Sequence, residues 1–321
     1  MKPVSIDEIL GHPKALVDYY LQLSEAKFVH LFKVGAAVSA EQLIKYKHKK
    51  NILYLFVREE DFSKYLASTL TVAGVRFGGP KPPADLTKLS IIERAMHSVY
   101  SDVQLAGFSK EALDQTQMVH QAVMNLVNSQ FDLNQLIDKI QKLPEDHARH
   151  SVMVSMFAPL IGLAMGWEKP GTLEKLALGG LLHDIGKTKL PGDIATKPVD
   201  RLAHDEKIIY RSHAEAGYLA LLQVKVLPDD VLQIVYQHHE AADGSGFPQG
   251  LKDMTTHPLA RVVILANAYV DSIFADGGTI GRHTAQRAFE ELSLNKHHLF
   301  NRDCMKALAK VFSEAKWVAA G

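Results

Sequence analysis

The chain has 321 residues, 47% hydrophobic and 22% charged, a composition that fits a folded globular protein and excludes a disordered one. Lys plus Arg and Asp plus Glu both number 36, so no global field draws in a nucleic-acid polymer or an anionic membrane. Any anionic ligand must then be held by local groups. A single cysteine, Cys304, excludes an internal disulfide framework and a cysteine-based zinc ribbon, and fits a reducing compartment.

Residues 1–10 carry Asp7 and Glu8 and lack the apolar core of a signal peptide. Short β-branched and aromatic runs at 27–34 and 51–58 predict strands. Between them 39–45 predicts a short helix with Ser39 as its cap, and 61–70 predicts another. The basic run 45–50 reads as a solvated face. Gly78-Gly79-Pro80-Lys81-Pro82-Pro83 is stiff and helix-hostile and marks the clearest break in the chain. Residues 1–80 are therefore expected to form a small α/β domain with a regulatory or partner-docking role, and 81–88 a linker.

Beyond the break the pattern is helical almost throughout. Apolar periodicity predicts helices over 89–105, 110–129, 133–143, 147–165, 173–184, 205–222, 229–240, 259–274, 284–292 and 302–319. The fold class expected is mainly α, with a C-terminal helical bundle over 89–321 and sites built between facing helices. The most apolar run, 152–167, is short for a bilayer and contains Pro159, so the chain is expected to be cytoplasmic and free of the membrane.

Segment 173–184 is apolar and ends on Leu182-His183-Asp184-Ile185-Gly186-Lys187, where Gly186 offers a helix stop. A buried Asp184 needs a cationic partner. That partner is either Lys187, with His183 capping carbonyls, or a metal ion. Five of the sixteen histidines fall at helix positions with carboxylates nearby: His150, His183, His213, His238 and His239. His150 lies one turn after Asp146, on the same face. Imidazoles and carboxylates together suit zinc, iron and manganese.

Several motifs occur in order: Leu-Leu-His183-Asp184-Ile-Gly-Lys187, Thr196-Lys197-Pro198, Leu202 to Glu206, His213 to Gly217, and His238-His239-Glu240 through Asp243-Gly244-Ser245-Gly246-Phe247-Pro248 to Leu251. In these the chain resembles the HD superfamily of metal-dependent phosphohydrolases, and more narrowly its HD-GYP branch, over about 133–312. The resemblance implies an HD-type helical bundle. It implies that His150, His183, Asp184, His213, His238 and His239 ligate metal, with Asp184 bridging two ions. Asn267 stands where the family has a last aspartate, with Asp271 one turn on, and Asp146 falls where some members ligate a third metal.

Members of the branch hydrolyse cyclic di-GMP to pGpG or GMP. The same is expected here, with two transition-metal ions, iron first and manganese or zinc as alternatives. Two adjacent metals lower the pKa of a water held between them. Asp184 and Lys187 are the expected catalytic residues, and Lys197 and Arg282 the expected phosphate contacts. Gly244 and Gly246 are expected to shape the signature loop and Asp243 to brace it.

Three departures fall on the substrate side. Phe247 replaces the signature tyrosine, Ala241 replaces a basic residue, and 276–282 replaces an Arg-Pro-Tyr segment. They keep open an alternative: a catalytically weak or inactive domain that binds cyclic di-GMP or a signalling protein.

Overall fold

The computed structural model describes residues 1–10, 12–24, 27–62, 64–65, 68–69, 85–128, 137, 146–274 and 285–315. They divide into two compact units, Met1–Ala95 and Met96–Gly321.

The first unit is built on a four-stranded antiparallel sheet in the order β1-β4-β2-β3. Its strands are β1 (Lys2–Ser5), β2 (Tyr19–Ser24), β3 (Lys27–Phe32) and β4 (Tyr54–Val57). The period-2 alternation of Val4, Tyr19, Leu55 and Val57 sends these side chains to one buried face. Helix α1 (Ile6–Leu10) adds Ile6 and Ile9 to that core, and α2 (Ala40–Lys50) adds Leu43. Ser39 caps α2 by accepting from the Gln42 N–H at 3.2 Å. The helix runs five residues past the expected 39–45, so the lysine run forms its last turns. Strands β1 and β2 were absent from the sequence expectation.

The second unit is helical, as the periodicity implied. Helix α3 (Asp85–Ala106), which runs across the division at Ala95, starts earlier than expected, so linker residues 85–88 form its first turn, whereas 81–84 lie outside the described residues. It is followed by α4 (Lys110–Val127), α5 (His147–Ala164) and α6 (Pro170–Leu182). Then come α7 (His204–Arg211), α8 (His213–Leu222), α9 (Asp229–Gln237) and α10 (Pro258–Phe274). Helices α11 (Ala285–Asn295) and α12 (Arg302–Ala315) complete it. The expected single helix over 205–222 is two helices that meet at Ser212. Of the expected helix over 133–143 only Ile137 is described.

Helix α5 is the central rod. It is apolar on all sides and buried from Val152 to Pro159, as a helix without a polar face must be. Phe157 on α5, Tyr269 on α10 and Phe312 on α12 form an aromatic column, with ring separations of 4.9 and 5.2 Å. Tyr100 of α3 is tied to Ser151 of α5 by a 2.8 Å hydrogen bond. Among the described residues no helix is long and apolar enough to cross a membrane.

Candidate metal centre

Glycines set how closely the helices bearing the histidines approach. On α6, a Cβ at Gly180 would lie 2.7 Å from the Ser155 Cα of α5, and one at Gly179 2.6 Å from Ile234 Cδ1 of α9. The pair lets α6 lie against both neighbours, and its C-terminal end delivers His183 and Asp184 between them. The chain then turns into a short 3-10 helix, Ile185–Lys189. A Cβ on Gly186 would overlap the His213 carbonyl oxygen and lie 2.5 Å from the Gly217 N. Gly186 is therefore not the helix stop expected of it. The α-helix has already ended at Leu182, and the missing side chain lets this turn touch α8.

These approaches bring together side chains from five helices or their ends. Asp184 Oδ1 lies 3.3 Å from His213 Nε2 and 3.6 Å from His238 Nε2. Its Oδ2 lies 3.3 Å from His183 Nε2 and 2.6 Å from Lys187 Nζ. His213 Nε2 and His238 Nε2 are 3.1 Å apart, and His150 Nε2 is 2.8 Å from Asn267 Oδ1. Two groups have ligand atoms mutually within 4.8 Å: His150, His183 and Asp184, and Asp184, His213, His238 and His239. Asp184 belongs to both, as a bridging carboxylate would.

Hydrogen bonding fixes the imidazole tautomers. The Nδ1 atoms of His183, His213 and His238 lie 2.8, 2.6 and 2.7 Å from the carbonyl oxygens of Gly180, Tyr210 and Val235. A carbonyl only accepts, so each Nδ1 carries the proton and each neutral ring turns an Nε2 lone pair inward. His213 and His238 thus face one another as two acceptors, beside a carboxylate that is a third. His183 Nε2, Asp184 Oδ1 and His239 Nε2 are buried without a hydrogen-bond partner. Burial lowers the His183 pKa to about 4 despite the adjacent Asp184. It also lowers His213, against the opposing pull of Asp184. Burial pushes the Asp184 carboxyl up, but Lys187 and then His183 outweigh it and hold it well below the usual carboxylate range. A buried anion ringed by nitrogen lone pairs could hold a cation, and this mixed donor set suits first-row transition metals. The residues present fit two such ions sharing Asp184. The Asp184–Lys187 ion pair that the sequence offered as the other partner is present as well.

The remaining expected residues divide. Asn267 is buried against His150, whereas Asp271, whose side chain is 59% exposed, stands 3.6 Å from the Nδ1 of the same ring. Asp146 caps α5 by accepting from the Arg149 N–H at 2.9 Å and lies 3.1 Å from His97 Nε2. Lys187 sits over the Tyr210 ring at 5.3 Å. Lys197 is held by Glu206 at 2.7 Å and Asp193 at 3.4 Å, and no described contact ties it to the cluster. Arg282 lies outside the described residues.

The signature loop closes one side. Phe247 stacks on His239, with ring centres 4.5 Å apart and 23° between planes, so the ring keeps a packing role without a hydroxyl. Asp243 accepts from the Ser245 N–H and hydroxyl at 2.9 and 2.6 Å. Gly244 adopts φ +86°, whereas Gly246 is needed for space: its Cβ would collide with the Glu240 backbone. Sequence reasoning assigned no role to Glu240. Its buried carboxylate accepts from the Gln249 and Leu251 N–H groups at 2.8 and 2.7 Å and folds the loop back behind His239. Its position directly after two ligand-type histidines and before a glycine-rich loop was the available signal.

Known proteins resemble parts of this chain. A cyclic di-GMP phosphodiesterase of Pseudomonas aeruginosa is 34% identical over 144 residues, covering 44% of this chain and 34% of that protein. A probable cyclic di-GMP phosphodiesterase of Vibrio cholerae is 40% identical over 107 residues, covering 31% of this chain and 24% of the relative. The chain thus spans between about a quarter and about a third of the length of these curated relatives. Among solved structures, an HDG"Y"P protein from Bdellovibrio bacteriovorus shares the fold with a TM-score of 0.67 at 19% identity, over 97% of this chain and 99% of that one. The HD domain family model matches residues 132–303, a range that contains every histidine of the cluster. This chain belongs to the HD domain family.

Proposed function

We propose that this chain is a metal-dependent phosphodiesterase that opens cyclic di-GMP to pGpG or carries it on to GMP. Two transition-metal ions, iron first, would be held by His150, His183, Asp184, His213, His238, His239 and Asn267. The observation that carries this reading is the buried Asp184 carboxylate, ringed by imidazole nitrogens whose lone pairs face no donor. The names of the relatives, cyclic di-GMP phosphodiesterases, support the substrate.

Bound divalent cations supply Lewis-acid neutralisation of phosphate charge and acidify water at the site. The chain's own residues do the rest. The carbonyls of Gly180, Tyr210 and Val235 aim three rings inward, so the donor set is organised before any ligand arrives. Asp184 raises the Lys187 pKa against the effect of burial, so the ammonium keeps its charge and can donate to a phosphate oxygen beside the shared carboxylate. Phe247 covers His239 and keeps water from that flank. Hydrolysis consumes one water, breaks one phosphorus–oxygen ester bond, and leaves a ribose hydroxyl and a terminal phosphate. The N-terminal α/β region would regulate the site or dock a signalling partner in the cytoplasm.

The test is chromatography of cyclic di-GMP after incubation with protein loaded with iron, manganese or zinc. Product from the wild type and none from His183→Ala/Asp184→Ala supports the reading. No product with any of the three metals sinks it. A binding-only effector is the second reading, favoured by the neutral Asn267 against His150 and by the hydroxyl missing at Phe247.

A further inference from the structure

Helix α7 ends in Tyr210-Arg211, and the two residues do different things. Tyr210 is buried beneath Lys187, which is committed to Asp184. Arg211 is exposed, and its guanidinium carbon lies 5.3 Å from the centre of the Phe247 ring. Phe247 in turn stacks on His239 at 4.5 Å. Two short steps therefore join the guanidinium to a ligand-type histidine.

Arg211 has no hydrogen bond and no ion pair among the described residues. Among the described residues, the other cations expected or found near the cluster each have an acidic partner. Lys187 is on Asp184, Lys197 on Glu206 and Asp193, and Arg149 on Asp146. Cation–π contact holds the Arg211 plane while leaving its N–H fork open to an anion. A flat fork braced on an aromatic wall is suited to bidentate capture of a phosphate.

A cyclic dinucleotide carries two phosphodiesters on opposite sides of its ring. Only one can sit at the cluster at a time, and the chain has no net positive charge to neutralise the other. We propose that Arg211, braced by Phe247, binds the phosphodiester of a cyclic dinucleotide that is not at the metal cluster. The assignment rests on the phosphodiesterase reading above and adds a specificity residue to it. It also gives Phe247 a purpose that needs no hydroxyl.

The experiment compares wild type, Arg211→Ala and Arg211→Lys, each metal-loaded and matched in metal content and circular dichroism. The Kd for the slowly hydrolysed bis-phosphorothioate analogue of cyclic di-GMP is measured at low and high salt, and KM and kcat for cyclic di-GMP itself. Arg211→Ala should weaken Kd about tenfold or more, flatten its salt dependence and raise KM rather than lower kcat. Arg211→Lys should recover part of the loss, since it keeps charge without the fork. An Arg211→Ala chain within twofold of wild type in Kd and KM overturns this assignment alone. A wild-type chain that binds no cyclic dinucleotide overturns both it and the phosphodiesterase reading.

Discussion

Gly186→Ala should damage both the fold and the metal centre. The new methyl would overlap the His213 carbonyl oxygen and meet the Gly217 N at 2.5 Å. Both are backbone atoms, so no side-chain rotamer can relieve the contact, and the 3-10 turn must move off α8. Overpacking against rigid surroundings costs about 3 kcal/mol. At about 2–4 °C per kcal/mol, Tm should fall by roughly 6–12 °C. The same displacement separates Asp184 from His213, now 3.3 Å apart, so metal content should fall as well. Gly171→Ala, in the first turn of α6, is the internal control. Its methyl meets no atom within 4 Å, and alanine favours the helix by about 1 kcal/mol over glycine. Its Tm should stay within about 3 °C of wild type. Calorimetry with and without chelator separates packing from metal linkage. A Gly186→Ala protein with wild-type Tm and wild-type metal content would refute the reasoning.

Other expectations follow from single contacts. Glu240→Gln puts an amide donor against one of two backbone N–H groups that now share a carboxylate; hydrogen exchange at Gln249 and Leu251 should speed up, and unchanged protection would contradict the loop assignment. In chelated protein His183 has a pKa near 4 against about 6.5 unfolded, so its contribution is present above about pH 6.5 and is lost as pH falls towards 4. Denaturant titrations should record a larger loss of stability across that window in wild type than in His183→Gln, the difference being up to about 3 kcal/mol. Burial pushes the Cys304 thiol up to about 12, so a thiol reagent at pH 8 should label native protein far more slowly than unfolded protein. Because that folded value is raised, the thiol's contribution to stability is full below about pH 8.5 and declines as pH rises towards 12.

Much of the helical unit was legible because its signals are local. Apolar periodicity placed α4, α5, α6 and α10 to within a few residues of their ends. The motif order brought to notice the histidines that the fold gathers around Asp184. Features decided by partners distant in sequence were not legible. Nothing near Gly186 announces that His213, on another helix, lies against it. The commitment of Lys197 to Glu206 and Asp193 rather than to the cluster depends on how the turn before α7 folds. The break at Ser212 has no glycine or proline to mark it; the serine hydroxyl turns back onto the Ile209 carbonyl at 2.7 Å and helps end α7. Strands β1 and β2 escaped because each is short and β2 buries only its first two residues, leaving little alternation to read.

The most direct measurement is elemental analysis of protein purified without oxygen, set beside Asp184→Ala prepared identically. About two transition-metal ions per chain are expected in the wild type, and almost none in the variant, because one carboxylate serves both groups of histidines. A wild-type chain without bound transition metal, or an Asp184→Ala chain that keeps its full complement, would contradict the shared cation site.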